Sequence, residues 1–373
     1  MDDAQPIDIE VAGFYRSRNI GIDFVKAIAA LGVVVLHFIG PQAGLANAAV
    51  YLLASFSIPV FIMCNGYFVL NKPEITWGYS ARKAMDFLAV AFMWCVVNWA
   101  LLAFFRHNLG NWGLLTPIHD YMASALQHGD DGILWYLWML AVLELLAPGL
   151  KIVFNRAGRM QALAILFGAC ICLNTVSVFS EMHGGMAIQA AVPQTLRLWT
   201  WVFYYVLGGV LGNRDILAQT RRRNPLQFAA LLSIGAAWIV LWGFRVRWCM
   251  WGMDKAEYLY DDPSVMLLSA SLILLCDAGC AGWSNEKISR MITQASAAGL
   301  GIYTLQLPVR AFLRHFYQLG NSTINFLLVP VAYLVLLTLS LLLGMLPVLN
   351  RLVQVGGGVK YGYMQNSDRR ENK

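Results

Sequence analysis

Three ionisable side chains, Asp23, Lys26 and His37, interrupt a stretch that is otherwise apolar from Ile20 to Gly40. A charge at the middle of a bilayer costs about 2.5–3.5 kcal/mol on insertion scales, so each of the three asks for a purpose. Lys26 and His37 are eleven residues apart. At 3.6 residues per turn that is close to three whole turns, which sets both on one helix face about 16 Å apart. Asp23 lies one turn before Lys26, and Ala27, Ala30 and Gly32 let a second helix approach closely. Imidazole is the side chain best suited to take a proton from a hydroxyl near neutral pH. A cation toward one mouth with a histidine deeper in therefore forms a polar track along one helix. The same residues also fit a structural role, with Asp23 and Lys26 as an interfacial ion pair and His37 hydrogen-bonded to a neighbouring helix.

Other candidates lie farther along. Glu144 falls inside a second apolar stretch and must face protein or water; it either orients His37 or holds a structural hydrogen bond. Arg82 and Lys83 stand together at the start of a third stretch, as orienting charge or as an anion site. Trp135 and Trp138, one turn apart, fit an aromatic belt at the membrane surface or a stacking platform for sugar. Arg197 opens a further stretch and reads equally as an anchor or as an acceptor-binding group. His107, His119, His128 and His183 are irregularly spaced in loops, and Cys276 and Cys280 share a helix face without a third ligand, so no metal site is expected. A Gly-rich phosphate loop, a zinc motif and a Gly-x-Ser-x-Gly elbow are absent.

The elements that position these residues follow from composition. The chain has 373 residues, of which 58% are hydrophobic and only 13% charged, with mean hydropathy +0.57. A soluble domain carries about 25% charged residues, so a soluble globule, a disordered chain, a collagen, a coiled coil and a disulfide scaffold are all excluded. About 20 apolar residues cross a bilayer. The expected fold is an all-α polytopic bundle of ten spans: Ile20–Gly40, Ala48–Leu70, Ala84–Phe105, Ile133–Phe154, Met160–Phe179, Leu196–Gly212, Leu226–Phe244, Ser264–Trp283, Ala295–Phe316 and Thr323–Leu346.

Charge sets the orientation. With both termini cytoplasmic, nineteen basic residues, Arg221–Arg223 among them, fall on the cytoplasmic side and seven on the outer side, with Lys26 inside the first span. The net charge of +6 is thus used for topology, and no nucleic-acid partner is expected. Residues 1–19 and 347–373 read as cytoplasmic segments flanking a transmembrane domain over 20–346. A signal-peptide reading of the first span, cleaved near Ala46-Asn47-Ala48, meets the obstacle of Asp23, Lys26 and His37 inside it. Of seven cysteines only Cys249 falls in an outer loop, so no disulfide is expected there.

Several segments in order resemble one family. Arg18-Asn19-Ile20-Gly21-Ile22-Asp23-Phe24-Val25-Lys26, ten residues, then His37 resembles the opening of the acyltransferase-3 family, with Lys26 in place of the commoner Arg. Pro59 through Phe68 is similar to the family's second-helix ending, with Asn65 where Ser is usual. Leu134 through Trp138, Tyr204 through Gly209 and Gly299 through Tyr303 are similar to its fourth-helix, Leu-Gly-Gly and late Leu-Gly-Ile-Tyr segments. The family's paired arginines at the third helix are matched only by Arg82, with Lys83 as a substitute, and Gln306 stands where a late His is frequent, which argues against an acid–base role there.

The resemblance implies an integral-membrane O-acyltransferase of the bacterial inner membrane, embedded in membrane lipid. It would take an acyl group, acetyl the expected one, from cytoplasmic acetyl-CoA or another acyl-CoA to a hydroxyl of an extracytoplasmic glycan or lipid-linked sugar. It implies His37 as the base, Lys26, Arg82 and Lys83 as holders of the coenzyme A phosphates, and Asn65 or Tyr67 as donors to the oxyanion. The competing readings are a glycan-precursor transporter or flippase, for which repeated halves are lacking, and a silent glycan-binding partner in an envelope complex.

Overall fold

The first helix, α1 (Ile20–Phe38), begins where Asn19 caps it. Asn19 Oδ1 accepts from the Ile22 amide at 3.2 Å, and Asp23 sits in the first turn near the positive end of the helix dipole. The Asn19 Nδ2 binds outward, donating to Asp277 Oδ1 at 2.6 Å and to the Tyr67 hydroxyl at 3.2 Å. One residue thus fixes the start of α1 against two other helices. The computed structural model describes residues 19–39, 45–106, 113, 115–129, 131–155, 158–213, 224–251, 255–316, 323–347 and 349–354, and no strand occurs among them. Arg18, His107, Arg221–Arg223, the Cys249 side chain and most of the two terminal segments lie outside the described residues.

After α1 come α2 (Leu45–Leu53), a 3-10 turn at Ala54–Phe56, α3 (Ser57–Val69), α4 (Trp77–Arg106), α5 (Thr116–Ser124), α6 (Trp135–Asn155) and α7 (Arg159–Met182). The chain continues through α8 (Ile188–Ala191), α9 (Leu198–Leu211), α10 (Pro225–Trp251), α11 (Pro263–Gly279), α12 (Glu286–Ala297), α13 (Gly299–Phe316), α14 (Thr323–Met345) and α15 (Asn350–Val353). Seven described stretches are long and apolar enough to cross a bilayer: Ile20–Phe38, Ala46–Val69, Trp77–Leu101, Gly132–Asn155, Arg159–Met182, Pro225–Gly243 and Phe326–Met345. The expected sixth and eighth spans are apolar but shorter, Leu198–Leu211 and Pro263–Gly279. The expected ninth is a pair, α12 and α13, meeting at Ala298. Hydropathy reads only the end of α12 because that helix is amphipathic, with Glu286, Lys287 and Arg290 along it. The fold is an all-α polytopic membrane bundle.

Burial sorts the spans. The bundle covers 67% of the Ala46–Val69 window and 56% of α1, against 17% of α7 and 22% of Phe326–Met345. Helices α1 and α3 therefore form the centre, and α7, α10 and α14 present apolar side chains to lipid. Contact at the centre is backbone to backbone. A Cβ on Gly66 would lie 1.9 Å from Tyr205 O, and one on Gly208 1.9 Å from Met63 O, so α3 and α9 meet where only glycine fits.

Candidate active site

The central helices enclose a cavity of about 360 Å³. Lys26, Asn65, Lys83, Ser296 and Gln354 line one part of it, toward the face read as cytoplasmic from its basic residues. Val33, Ile58, Tyr136, Leu140, Ile302 and Tyr303 line the rest. Val33 is seven residues beyond Lys26 on α1, about 10 Å at 1.5 Å per residue. The cavity thus carries its cations at one end, where Phe68, Phe87 and Val353 also line it, and is apolar and aromatic toward the other.

His37 lies one turn beyond Val33. Its Nδ1 is 2.6 Å from Gln306 Oε1 on α13. Gln306 is fully buried, and its Nε2 has no hydrogen-bond partner. With the amide oxygen turned to the ring, Nδ1 is the donor of this hydrogen bond and Nε2 the nitrogen that remains. Arg310, one turn farther along α13, bears electrostatically on the imidazole. By charge alone Arg310 is one of the seven outer cations, and the family resemblance sets Gln306 outside acid–base chemistry. Only packing brings both beside His37.

The remaining candidates fall into three groups. Lys26 and Lys83 line the cavity, whereas Arg82 is exposed beside it. Lys83 Nζ lies 2.6 Å from Glu144 Oε1, with the Glu144 side chain wholly buried, so Glu144 holds a lysine and does not orient His37. Asn65 is in the cavity wall near Lys26. Tyr67 is not near His37: its hydroxyl accepts from Asn19, and Asn19 lies about 27 Å from His37 along α1. Asp23 accepts from Ser296 Oγ at 2.7 Å and ties α1 to α12.

On the outer side, Trp135 stacks on Trp201 at 5.5 Å and 28°, and Trp201 meets Tyr260 at 5.4 Å. Tyr136 meets Tyr303 edge-on at 5.4 Å, completing an aromatic column from the outer loops to the cavity. Burial raises the Tyr260 hydroxyl well above the ordinary phenol range and keeps it neutral. Arg197, 3% exposed, donates to Val192 O at 2.9 Å, to Glu257 O at 3.0 Å and to Gln189 O. No group of His, Cys, Asp and Glu suited to a metal occurs among the described residues.

Residues 19–346 match the model of the acyltransferase-3 family, described as an acyltransferase domain. The chain belongs to the acyltransferase-3 family. No curated protein and no solved structure matches it. The match takes in every candidate residue of this acyltransferase from Asp23 to Gln306, and it ends four residues before α15 begins.

Proposed function

We propose that this acyltransferase carries an acyl group, acetyl the expected one, from cytoplasmic acyl-CoA across part of the inner membrane to a hydroxyl of an extracytoplasmic glycan or lipid-linked sugar. The observation that supports this most is the cavity, whose lining runs from Lys26 and Lys83 to Val33 and Tyr303, one turn short of His37 and Gln306, which do not themselves line it. The donor's phosphates stay with the cations while its pantetheine arm reaches inward with the thioester. Arg82, exposed at the same end of α4, adds charge at the entrance.

In this reading His37 Nε2 removes the acceptor hydroxyl proton as the oxygen attacks the thioester carbonyl. The tetrahedral intermediate collapses to an ester and coenzyme A thiolate, which takes the proton back from the imidazolium. Gln306 holds the ring by accepting from Nδ1, and its unpartnered amide N–H is a donor beside the imidazole for the developing oxyanion. Asn65 and Tyr67 are the weaker choices for that task, because they sit at the opposite end of α1. A general base contributes about 10²- to 10⁴-fold. His37→Ala, folded as judged by its melting temperature, should therefore lose at least 10²-fold in glycan acylation by vesicles loaded with acetyl-CoA. Near-wild-type turnover would remove His37 from the mechanism. Absence of acetyl-CoA-dependent thermal stabilisation of the wild type in detergent would favour the transporter instead.

A further inference from the structure

The chain beyond the family match returns to the cavity. After α14 ends at Met345, the short α15 packs against α4, α13 and α14. Three contacts hold it. Trp94 Nε1 donates to Leu352 O at 2.7 Å; Val353 is 1% exposed; and Val353 lies so close to α13 that a Cβ on Gly301 would come within 2.9 Å of its own Cβ. Val353 and Gln354 both line the cavity, alongside Lys26 and Lys83. Because the match ends at residue 346, this part of the wall is supplied by residues outside the shared domain.

We propose that Val353 and Gln354 form a binding subsite for the amide-bearing arm of the acyl donor, with Gln354 hydrogen-bonding to its amides and Val353 bounding its path. The proposal rests on the acyl-CoA reading and adds residues to it. A pantetheine arm alternates short apolar segments with two amides, each needing a donor and an acceptor when it leaves water. A carboxamide offers both in one side chain. The cations at this mouth suit the phosphates and cannot accept a hydrogen bond, so the amide N–H groups fall to the neutral polar side chains of the wall, Asn65, Ser296 and Gln354. Gln354 is placed in the same wall to serve them.

The test uses the full-length protein in detergent, with acetyl-CoA binding measured by calorimetry and KM measured separately for acetyl-CoA and for the acceptor. Gln354→Ala should raise KM for acetyl-CoA about threefold to tenfold and leave the acceptor KM unchanged. Val353→Trp should fill the passage and weaken acetyl-CoA binding by more than tenfold, while a chain cut after Gln354 binds as the wild type does. If the tryptophan variant fails to fold, Gln354→Ala decides alone, since its side chain is only half-buried. Wild-type binding together with an unchanged KM in Gln354→Ala would overturn the subsite and spare the acyl-CoA reading. A wild type that binds no acetyl-CoA would overturn that reading and the subsite with it.

Discussion

Around Arg197 most of the outer polar groups satisfy one another, with Gln194 Oε1 and Thr195 Oγ1 the buried exceptions. Three backbone carbonyls take the guanidinium, Asp261 Oδ2 accepts from Gln189 Nε2 at 3.1 Å and from Trp199 Nε1 at 3.3 Å, and Glu257 Oε2 accepts from Gln194 Nε2 at 2.8 Å. Around Lys26 the arrangement is the opposite. Lys26 makes no ion pair among the described residues, Asn65 lines the cavity, and the buried Glu144 Oε2 has no partner; Gln306 Nε2, beside His37 at the other end of α1, has none either. Buried polar groups left unpaired cost about 1–3 kcal/mol each, a cost that a bound ligand can remove. The outer network, closed around a guanidinium with three carbonyl partners, is thus a clamp that gives the bundle its shape, while the inner cations Lys26 and Lys83 front open space in the cavity.

The sharpest way to break this contrast is Arg197→Met. Removing the guanidinium strands three carbonyls and the neighbouring acidic groups, so we expect a loss of about 3–5 kcal/mol, seen as little folded monodisperse protein on size exclusion in detergent. A variant that folds normally yet fails only with the acceptor would make Arg197 a substrate-binding group and erase the distinction. The next effect concerns the one ion pair at the cavity. Lys83→Met leaves the buried Glu144 carboxylate without its partner, whereas Glu144→Gln leaves a lysine that is still 21% exposed. Lys83→Met should therefore lower the melting temperature clearly more than Glu144→Gln. Equal shifts would show that the buried partner gains no more from the pair than the exposed one does.

Smaller again is the effect of Gln306→Leu on stability, because the loss of the acceptor for His37 Nδ1 is offset by removal of a buried donor that has no partner. Its effect on catalysis should be large in kcat and slight in KM for either substrate, because it frees the His37 ring without touching the donor's cations. A loss confined to KM would place Gln306 in binding instead.

How far these residues can be read without coordinates depends on the range of their contacts. Lys26 and His37 share a face by local periodicity alone, and the long apolar spans follow from composition. The partner of His37 is 269 residues away and that of Lys83 is 61 away. No spacing rule reaches so far, because those pairs depend on which helices pack together. The Asn-Gly-Tyr and Leu-Gly-Gly segments stand out as motifs, but their purpose, the contact of α3 with α9 at Gly66 and Gly208, is a tertiary fact. Hydropathy also passes over α12 and α15, the first because half of its surface is polar and the second because it has only four residues.

The finest distinction between the two ends lies in Tyr67, which the order of residues makes a candidate oxyanion donor and the fold makes a brace. Its hydroxyl meets Asn19, the residue that caps α1 and also holds Asp277. Losing one such hydrogen bond within a membrane bundle costs about 0.6 kcal/mol, whereas losing an oxyanion donor costs about 10²- to 10³-fold in kcat. Tyr67→Phe should therefore lower the melting temperature slightly and keep kcat within about twofold of the wild type. A 10²-fold fall in kcat at unchanged stability would bring the reacting carbonyl down to the cationic end of the cavity. The acceptor would then have to pass His37 to reach it, and the division of labour along α1 would be reversed.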